Sequence, residues 1–203
     1  VITLNRQELD LLAQTVARNA TVWGNSAIAD RSTGRAALAA LRHPSQEGFN
    51  AASWSQVLEN FPVDLAGCGD EPSIGEWAAH LALTVFAFHQ QSKTHLMHKS
   101  GQGLGRAVRQ LALRDNKDEP DSGVLRRYKI VLQAPTIEAT AYHLRGLVQL
   151  LRQADIPLDY GRLAMDLANL RNPRRSDGVR LRWSREFYLT PREENQKISE
   201  AGS

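Results

Sequence analysis

Residues 124–152, VLRRYKIVLQAPTIEATAYHLRGLVQLLR, decide the fold. Two helical patterns meet there at one proline. Pro135 lacks an amide hydrogen and its ring fixes φ, so it cannot continue a regular helix, and it biases Ala134 away from helical angles. Thr136 then suits an N-cap, with Glu138 in the first turn, where the helix dipole favours negative charge. Beyond the proline, Ile137, Ala141, Leu144, Val148 and Leu151 recur at three- and four-residue steps, with Leu147 beside them. That spacing is the buried stripe of an amphipathic helix. Arg145, Gln149 and Arg152 follow a different ridge. Before the proline, Leu125, Tyr128 and Leu132 line one side, while Arg126, Arg127 and Lys129 project elsewhere. The stretch therefore predicts a helical hairpin with one core face and several cations.

Helical signals continue on both sides of it. Asn5 with Glu8 reads as a capping box, followed by Leu9, Leu12 and Val16. Residues 19–32 read as polar and irregular around Gly24. Residues 34–43, GRAALAALRH, favour helix, with Ala37, Leu38 and Leu41 inward and Pro44 as the stop. Arg35 and Arg42, seven apart, share a face. Ser53 with Gln56 reads as a second capping box before Val57, Leu58 and Phe61. Residues 60–75, with their prolines and glycines, read as a loop. Residues 77–88, WAAHLALTVFAF, are apolar nearly all round. They fall short of the ~20 residues a membrane span needs, so they predict the central core helix. Residues 93–103 read as a polar joint, and 104–114 as a helix with Leu104, Val108 and Leu111 inward and Arg106 and Arg109 outward. An acidic loop at 115–123 leads into the hairpin.

Asp159 suits the cap of a helix carrying Tyr160, Leu163, Leu167 and Leu170. Residues 171–178, RNPRRSDG, read as a basic loop. The run VRLRW alternates like a strand, but the four-residue spacing of Val179, Trp183 and Phe187 argues for helix, and no other alternating run could pair with it. Pro191 closes that helix, and the charged tail is expected to fray. The expected fold is all-α: a compact multi-helix bundle, as one body or as two packed lobes. The lobes would be an N-terminal helical lobe at 1–98 and a basic lobe at 99–192, with a tail at 193–203.

The chain has 203 residues, of which 42% are apolar, enough for a sizeable core. Its mean hydropathy of −0.40 suits a soluble protein. No signal-peptide pattern opens it, and one cysteine, Cys68, excludes an internal disulfide; both fit a cytoplasmic setting without a membrane partner. The net charge of +3 is unevenly placed. Residues 124–192 hold 13 Lys/Arg against 6 Asp/Glu, residues 1–123 hold 11 against 13, and residues 193–203 hold 1 against 3. A basic C-terminal half suggests an anionic partner.

Catalytic patterns are absent. Residues 101–105, GQGLG, lack the spacing of a dinucleotide loop and the lysine of a P-loop, and read as a turn before a helix. His95 and His98, near His89, could place two ligands on one helix face, but no carboxylate or cysteine joins them at ligand spacing, so a surface loop is the simpler reading. His80, within the apolar helix, reads as a hydrogen-bonded core residue. His143 either lies beside a bound phosphate or borders the core. No carboxylate pair or serine nucleophile stands out, so the chain reads as non-catalytic, with no cofactor and no metal.

The arginines carry the strongest signal, because their forks match phosphate oxygens. Arg126, Arg127, Arg145, Arg152, Arg174, Arg175, Arg180 and Arg182 would converge if the last helices pack together. Without an aromatic recognition sheet, binding would be led by the sugar–phosphate backbone and weakly selective.

Five segments occur in a telling order: GRAALAALRH at 34–43, LGRAVRQLA at 104–112, LRRYKIVLQAP at 125–135, AYHLRGLVQLLRQADIPLDYGRLAMDLANL at 141–170 and VRLRWSREFY at 179–188. Together they resemble the small subunit of the type I-E CRISPR Cascade complex, the CasB family, over residues 34–188. The resemblance implies an all-helical, non-enzymatic subunit of an antiviral surveillance complex. Paired copies would touch the repeating backbone subunits and the large subunit. Their basic surface would hold CRISPR RNA and single- and double-stranded DNA without reading sequence, notably the strand displaced in an R-loop. Carried over by position, the candidate nucleic-acid-binding residues are Arg35, Arg42, Arg106, Arg109, Arg126, Arg127 and Arg145. Lys129, Arg152, Arg174, Arg175, Arg180 and Arg182 join them on the charge pattern. The alternatives are a scaffold whose basic surface meets protein partners, and a metal-dependent nuclease using the histidines.

Overall fold

The computed structural model describes residues 3–42, 51–116 and 118–189, and every named element among them is a helix. The first, α1 (Arg6–Ile28), opens on the expected capping box: the Glu8 amide donates to Asn5 Oδ1 at 3.0 Å, and the Asn5 amide to Glu8 Oε2 at 2.7 Å. Its buried row of Leu9, Leu12, Val16, Ala20 and Gly24 runs on through the segment expected to be irregular, which is thereby corrected. Small residues sustain the stripe there. A Cβ on Gly24 would stand 2.4 Å from Leu96 Cδ1 and 3.0 Å from Phe86 Cζ, so glycine marks a close crossing rather than a break. The chain reverses at Asp30 (φ 57°) into α2 (Ser32–Arg42), which buries Ala37, Leu38 and Leu41. The expected stop at Pro44 lies outside the described residues.

In α3 (Ala51–Leu58), Ser53 is not the cap anticipated for it. It sits inside the helix and is buried, its hydroxyl 2.5 Å from His80 Nε2. Residues 60–73 form a loop with one 3-10 turn at Val63–Leu65. A capping box of Ser73 and Glu76, at 3.0 and 2.6 Å, then opens α4 (Ile74–Gln90), which buries Ala78, Ala82, Leu83 and Phe86 as the central helix.

Three helices follow: α5 (Leu104–Ala112), α6 (Ser122–Gln133) and α7 (Ile137–Gln153). The break at Pro135 is as anticipated. Ala134 leaves helical angles (φ −57°, ψ 126°), and Thr136 Oγ1 accepts the Ala139 amide at 3.1 Å. Asp159 caps α8 (Tyr160–Leu170), accepting the Arg162 amide at 3.0 Å. The expected loop at 171–178 is corrected: Asn172 caps α9 (Pro173–Tyr188) by accepting the Arg174 amide at 3.0 Å, and Pro173 occupies its first turn. Proline is tolerated there because its missing amide has no intrahelical partner to lose.

Around the core, α8 packs against α1, α4 and α9, while α7 packs against α4, α5 and α6. Helix α9 buries Val179, Trp183 and Phe187, the row that favoured helix over strand. It meets α5 so closely that a Cβ on Gly105 would stand 2.2 Å from the Trp183 carbonyl oxygen. Full burial of each large apolar side chain contributes about 1.5–3 kcal/mol. The segment between α4 and α5 is tied to the α7–α8 connection. The Leu158 amide donates to Met97 O at 3.1 Å, Lys99 to Leu158 O at 3.2 Å, Asp159 to Gln102 O at 2.8 Å, and Gly101 to Asp159 Oδ2 at 2.7 Å. Among the described residues, no helix is long and apolar enough to cross a membrane.

Candidate nucleic-acid interface

Burying Leu144, Leu147, Val148 and Leu151 turns the opposite side of α7 outward. Tyr142, Arg145, Gly146 and Gln149 are exposed there, spaced three and four apart, with Arg152 half-buried at the edge. Phe88, in the last turn of α4, forms the floor beneath two of these cations. The Arg145 guanidinium carbon lies 5.3 Å from the Phe88 ring centroid and that of Arg152 5.4 Å. Stacking on an aromatic face adds about 0.5–1 kcal/mol at such a site, and it leaves the N–H edges of the fork free to donate. Arg152 uses Nε to hold the Gln91 carbonyl at 3.1 Å.

Arg42, in the last turn of α2, joins this group. Burial lowers its pKa from the ordinary value, and the charge of Arg152 lowers it further. A guanidinium remains protonated nonetheless, so like charges are held close together. From α6, Arg127 and Ile130 line a groove of about 360 Å³ with Phe88, Tyr142 and Arg145. Arg127 also reaches its own Gly123 carbonyl at 3.4 Å. Among the described residues, no carboxylate forms an ion pair with Arg42, Arg127, Arg145 or Arg152. Among the described residues, these four cations from three helices are thus exposed or half-buried without a carboxylate ion partner, which is the condition under which an anion gains most by binding.

The remaining candidates are placed differently. Arg35 pairs with Asp30 at 2.5 Å. Arg106, Arg126 and Lys129 are exposed on α5 and α6. Arg109 donates to the Phe187 carbonyl at 2.7 Å, tying α5 to α9. Arg180 donates to the Ala134 carbonyl at 3.0 Å and lies 3.7 Å from Asp177. Arg182 pairs with Asp166, whose other oxygen accepts Trp183 Nε1 at 2.6 Å. Burial pushes the Asp166 carboxyl up to about 6 against the opposing pull of Arg182. Arg175 reaches the Leu4 carbonyl at 2.8 Å and Asn169 at 3.2 Å. Together with Arg6 and exposed Arg174, Arg175 and Arg182 border a cleft of about 930 Å³ between α1, α8 and α9, whose lining includes Leu9, Met165 and Val179. This cleft shares no lining residue with the groove at α7.

The histidines have structural neighbours. His80 stacks on Trp54 with ring centroids 4.3 Å apart, and burial lowers its pKa to about 4. His89 is fully buried, against the surface-loop reading. Its Nδ1 lies 2.7 Å from the Tyr160 hydroxyl, and burial first, then nearby Lys93, lowers its pKa to about 3. His98 Nδ1 accepts the Tyr160 amide at 3.1 Å. Among the described residues, no group of three or more His, Cys, Asp or Glu side chains is placed to hold a metal ion.

Sequence reasoning missed Phe88 and Tyr142. Phe88 looks like one more core residue of an apolar helix. Tyr142 did carry a signal, an aromatic residue on the polar ridge three positions before Arg145.

Residues 37–188 match the family model described as CRISPR-associated protein Cse2. The fold is similar to a crystal structure of CasB from Thermobifida fusca, at 33% sequence identity and a TM-score of 0.73, over 88% of this chain and 98% of that one. No curated protein sequence matches the chain.

Proposed function

The chain belongs to the CRISPR-associated Cse2 family, the CasB-type subunit of Cascade, and from that premise we propose that it is a non-catalytic subunit that holds nucleic acid by its phosphates. The observation that carries this reading is the stacking of Arg145 and Arg152 on Phe88, with the charge of Arg42 close to that of Arg152 and Arg127 across the groove. These forks lie on the solvent side of three helices, where sugar–phosphate can reach them without unfolding anything. The ligand of this surface is the DNA strand displaced when guide RNA pairs with its target. Exchange of one duplex for another is close to energetic balance, so a modest set of backbone contacts on the displaced strand tips it. Guide RNA, the backbone and large subunits and a second copy of the chain complete the partner set of this reading.

Anisotropy titration of single-stranded DNA at several salt concentrations tests it. Each phosphate contact on a single strand contributes roughly −0.7 to the slope of log affinity against log salt. Replacing Arg42 and Arg145 with alanine flattens the slope and weakens binding to all sequences alike. An unchanged slope in a folded double variant overturns the reading.

A second reading concerns the α9 side, where the cleft combines an apolar floor with an arginine rim. That combination favours contact with an acidic protein surface of another subunit. Variants at Arg174 and Arg175 would then assemble poorly yet leave the DNA affinity of assembled complexes unchanged.

A further inference from the structure

Helix α7 carries a glycine that packing does not explain. A Cβ on Gly146 would meet no atom within 4 Å. Glycine in the middle of a helix is unfavourable relative to alanine, and at Gly24 and Gly105 the disadvantage is offset by close crossings. At Gly146 its effect is to leave bare backbone in the groove, one turn from Tyr142. Tyr142 is 78% exposed, and its ring stands edge-on to that of His143, with centroids 5.2 Å apart at 77°. Arg127 and Arg145 flank the same groove. An open aromatic face beside uncovered backbone, with guanidinium groups on either side, fits a flat ring tethered to phosphates.

We propose that Tyr142 and Gly146 form a stacking subsite for one unpaired nucleobase, whose neighbouring phosphates are held by Arg127 and Arg145. The proposal rests on the phosphate-binding reading above and adds a base to it. A base inside a duplex has both faces covered by its neighbours, so the subsite admits single strands and turns duplexes away. Every base has such a face, so the subsite discriminates by strandedness and not by sequence.

The test uses the full chain and two fluorescent oligodeoxynucleotides of equal length, one ordinary and one abasic along its whole length. The ordinary strand binds about ten-fold more tightly, the scale of one base–aromatic stack. Tyr142→Ala and Gly146→Leu each abolish that difference and leave the affinity for the abasic strand unchanged. Tyr142→Phe retains it. Leucine is a good helix former, so Gly146→Leu keeps the fold, which thermal melts confirm. A 2-aminopurine in the ordinary strand is quenched by the unaltered chain and not by Tyr142→Ala. Equal affinity for both strands overturns the subsite and leaves the phosphate reading standing, whereas failure of both strands to bind overturns the two together.

Discussion

Two groups of arginines occupy this molecule under opposite electrostatic conditions. Three of those on α9 are tied to neighbours: Arg182 to buried Asp166, Arg180 to the Ala134 carbonyl, and Arg175 to Leu4 and Asn169. Those around α7 rest on the Phe88 ring or line the neighbouring groove, without a carboxylate among the described residues. The two groups look alike in a count of charge, yet one holds the fold and the other presents charge to solvent. What separates them is the location of the acids. Asp166 and Asp177 lie in α8 and α9, whereas the exposed ridge of α7 from Tyr142 to Gln149 has none.

The contrast breaks first at Arg182. Arg182→Ala leaves Asp166 without its cation at 3% side-chain exposure. A fully buried pair loses roughly 3–5 kcal/mol on such a change, and the partial exposure of Arg182 brings this to about 2–3. Chemical denaturation measures the loss, and DNA affinity of the remaining folded protein stays unaltered. A stability change below about 0.5 kcal/mol would place Arg182 with the surface group.

Acidification reads the same buried carboxylate. His80 and His89 are neutral in the fold, with pKa values lowered to about 4 and about 3. Unfolded, each takes a proton below about pH 6.5, so the stability they contribute is complete above that pH and lost as pH falls toward 4. Asp166, raised to about 6, acts in the opposite sense: the fold gains as pH falls through 6. Two protons against one leave a net loss of at least about 1.4 kcal/mol per pH unit between pH 6 and 4, and His98, whose pKa burial also lowers, adds to it in the same sense. Thermal melts at pH 7 and pH 5 measure it, and Asp166→Asn steepens the fall. A midpoint that rises on acidification would contradict the assignment.

On the α7 side, Arg145→Ala with Arg152→Ala lowers stability by only about 1–2 kcal/mol, the scale of the two contacts with the Phe88 ring. Single-strand affinity falls about ten-fold and the salt slope flattens by roughly 1.4, two contacts at about 0.7 each. Smallest is Glu138→Gln, one turn before Tyr142 on the same ridge. Removing that charge strengthens DNA binding by about two-fold at low salt and by nothing at high salt.

Local codes were legible in the sequence. The break at Pro135 with its Thr136 cap, the Asn5–Glu8 box and the Asp159 cap each lie within four residues, and each formed where its residues stand. Tertiary causes were not. Helix α1 continues to Ile28 because Gly24 meets Phe86 and Leu96, which are distant in sequence. Ser53 left its expected cap for His80. Pro173 begins a helix where proline was read as loop, since the same residue marks either boundary. For the interface, the Arg145–Gln149–Arg152 ridge followed from spacing. Its Phe88 floor and the arrival of Arg42 depend on how α2, α4 and α7 meet, and no periodicity within one helix encodes that.

The backbone bonds joining Met97, Lys99 and Gln102 to Leu158 and Asp159 link segments about sixty positions apart in the chain. Closing so long an interval is entropically slow, so this seam sets late in folding. Once set, it locks the segment leading into α5 to the turn leading into α8. Amide hydrogens of Leu158, Asp159 and Lys99 should therefore exchange with solvent only when the whole molecule opens, making them reporters of global stability.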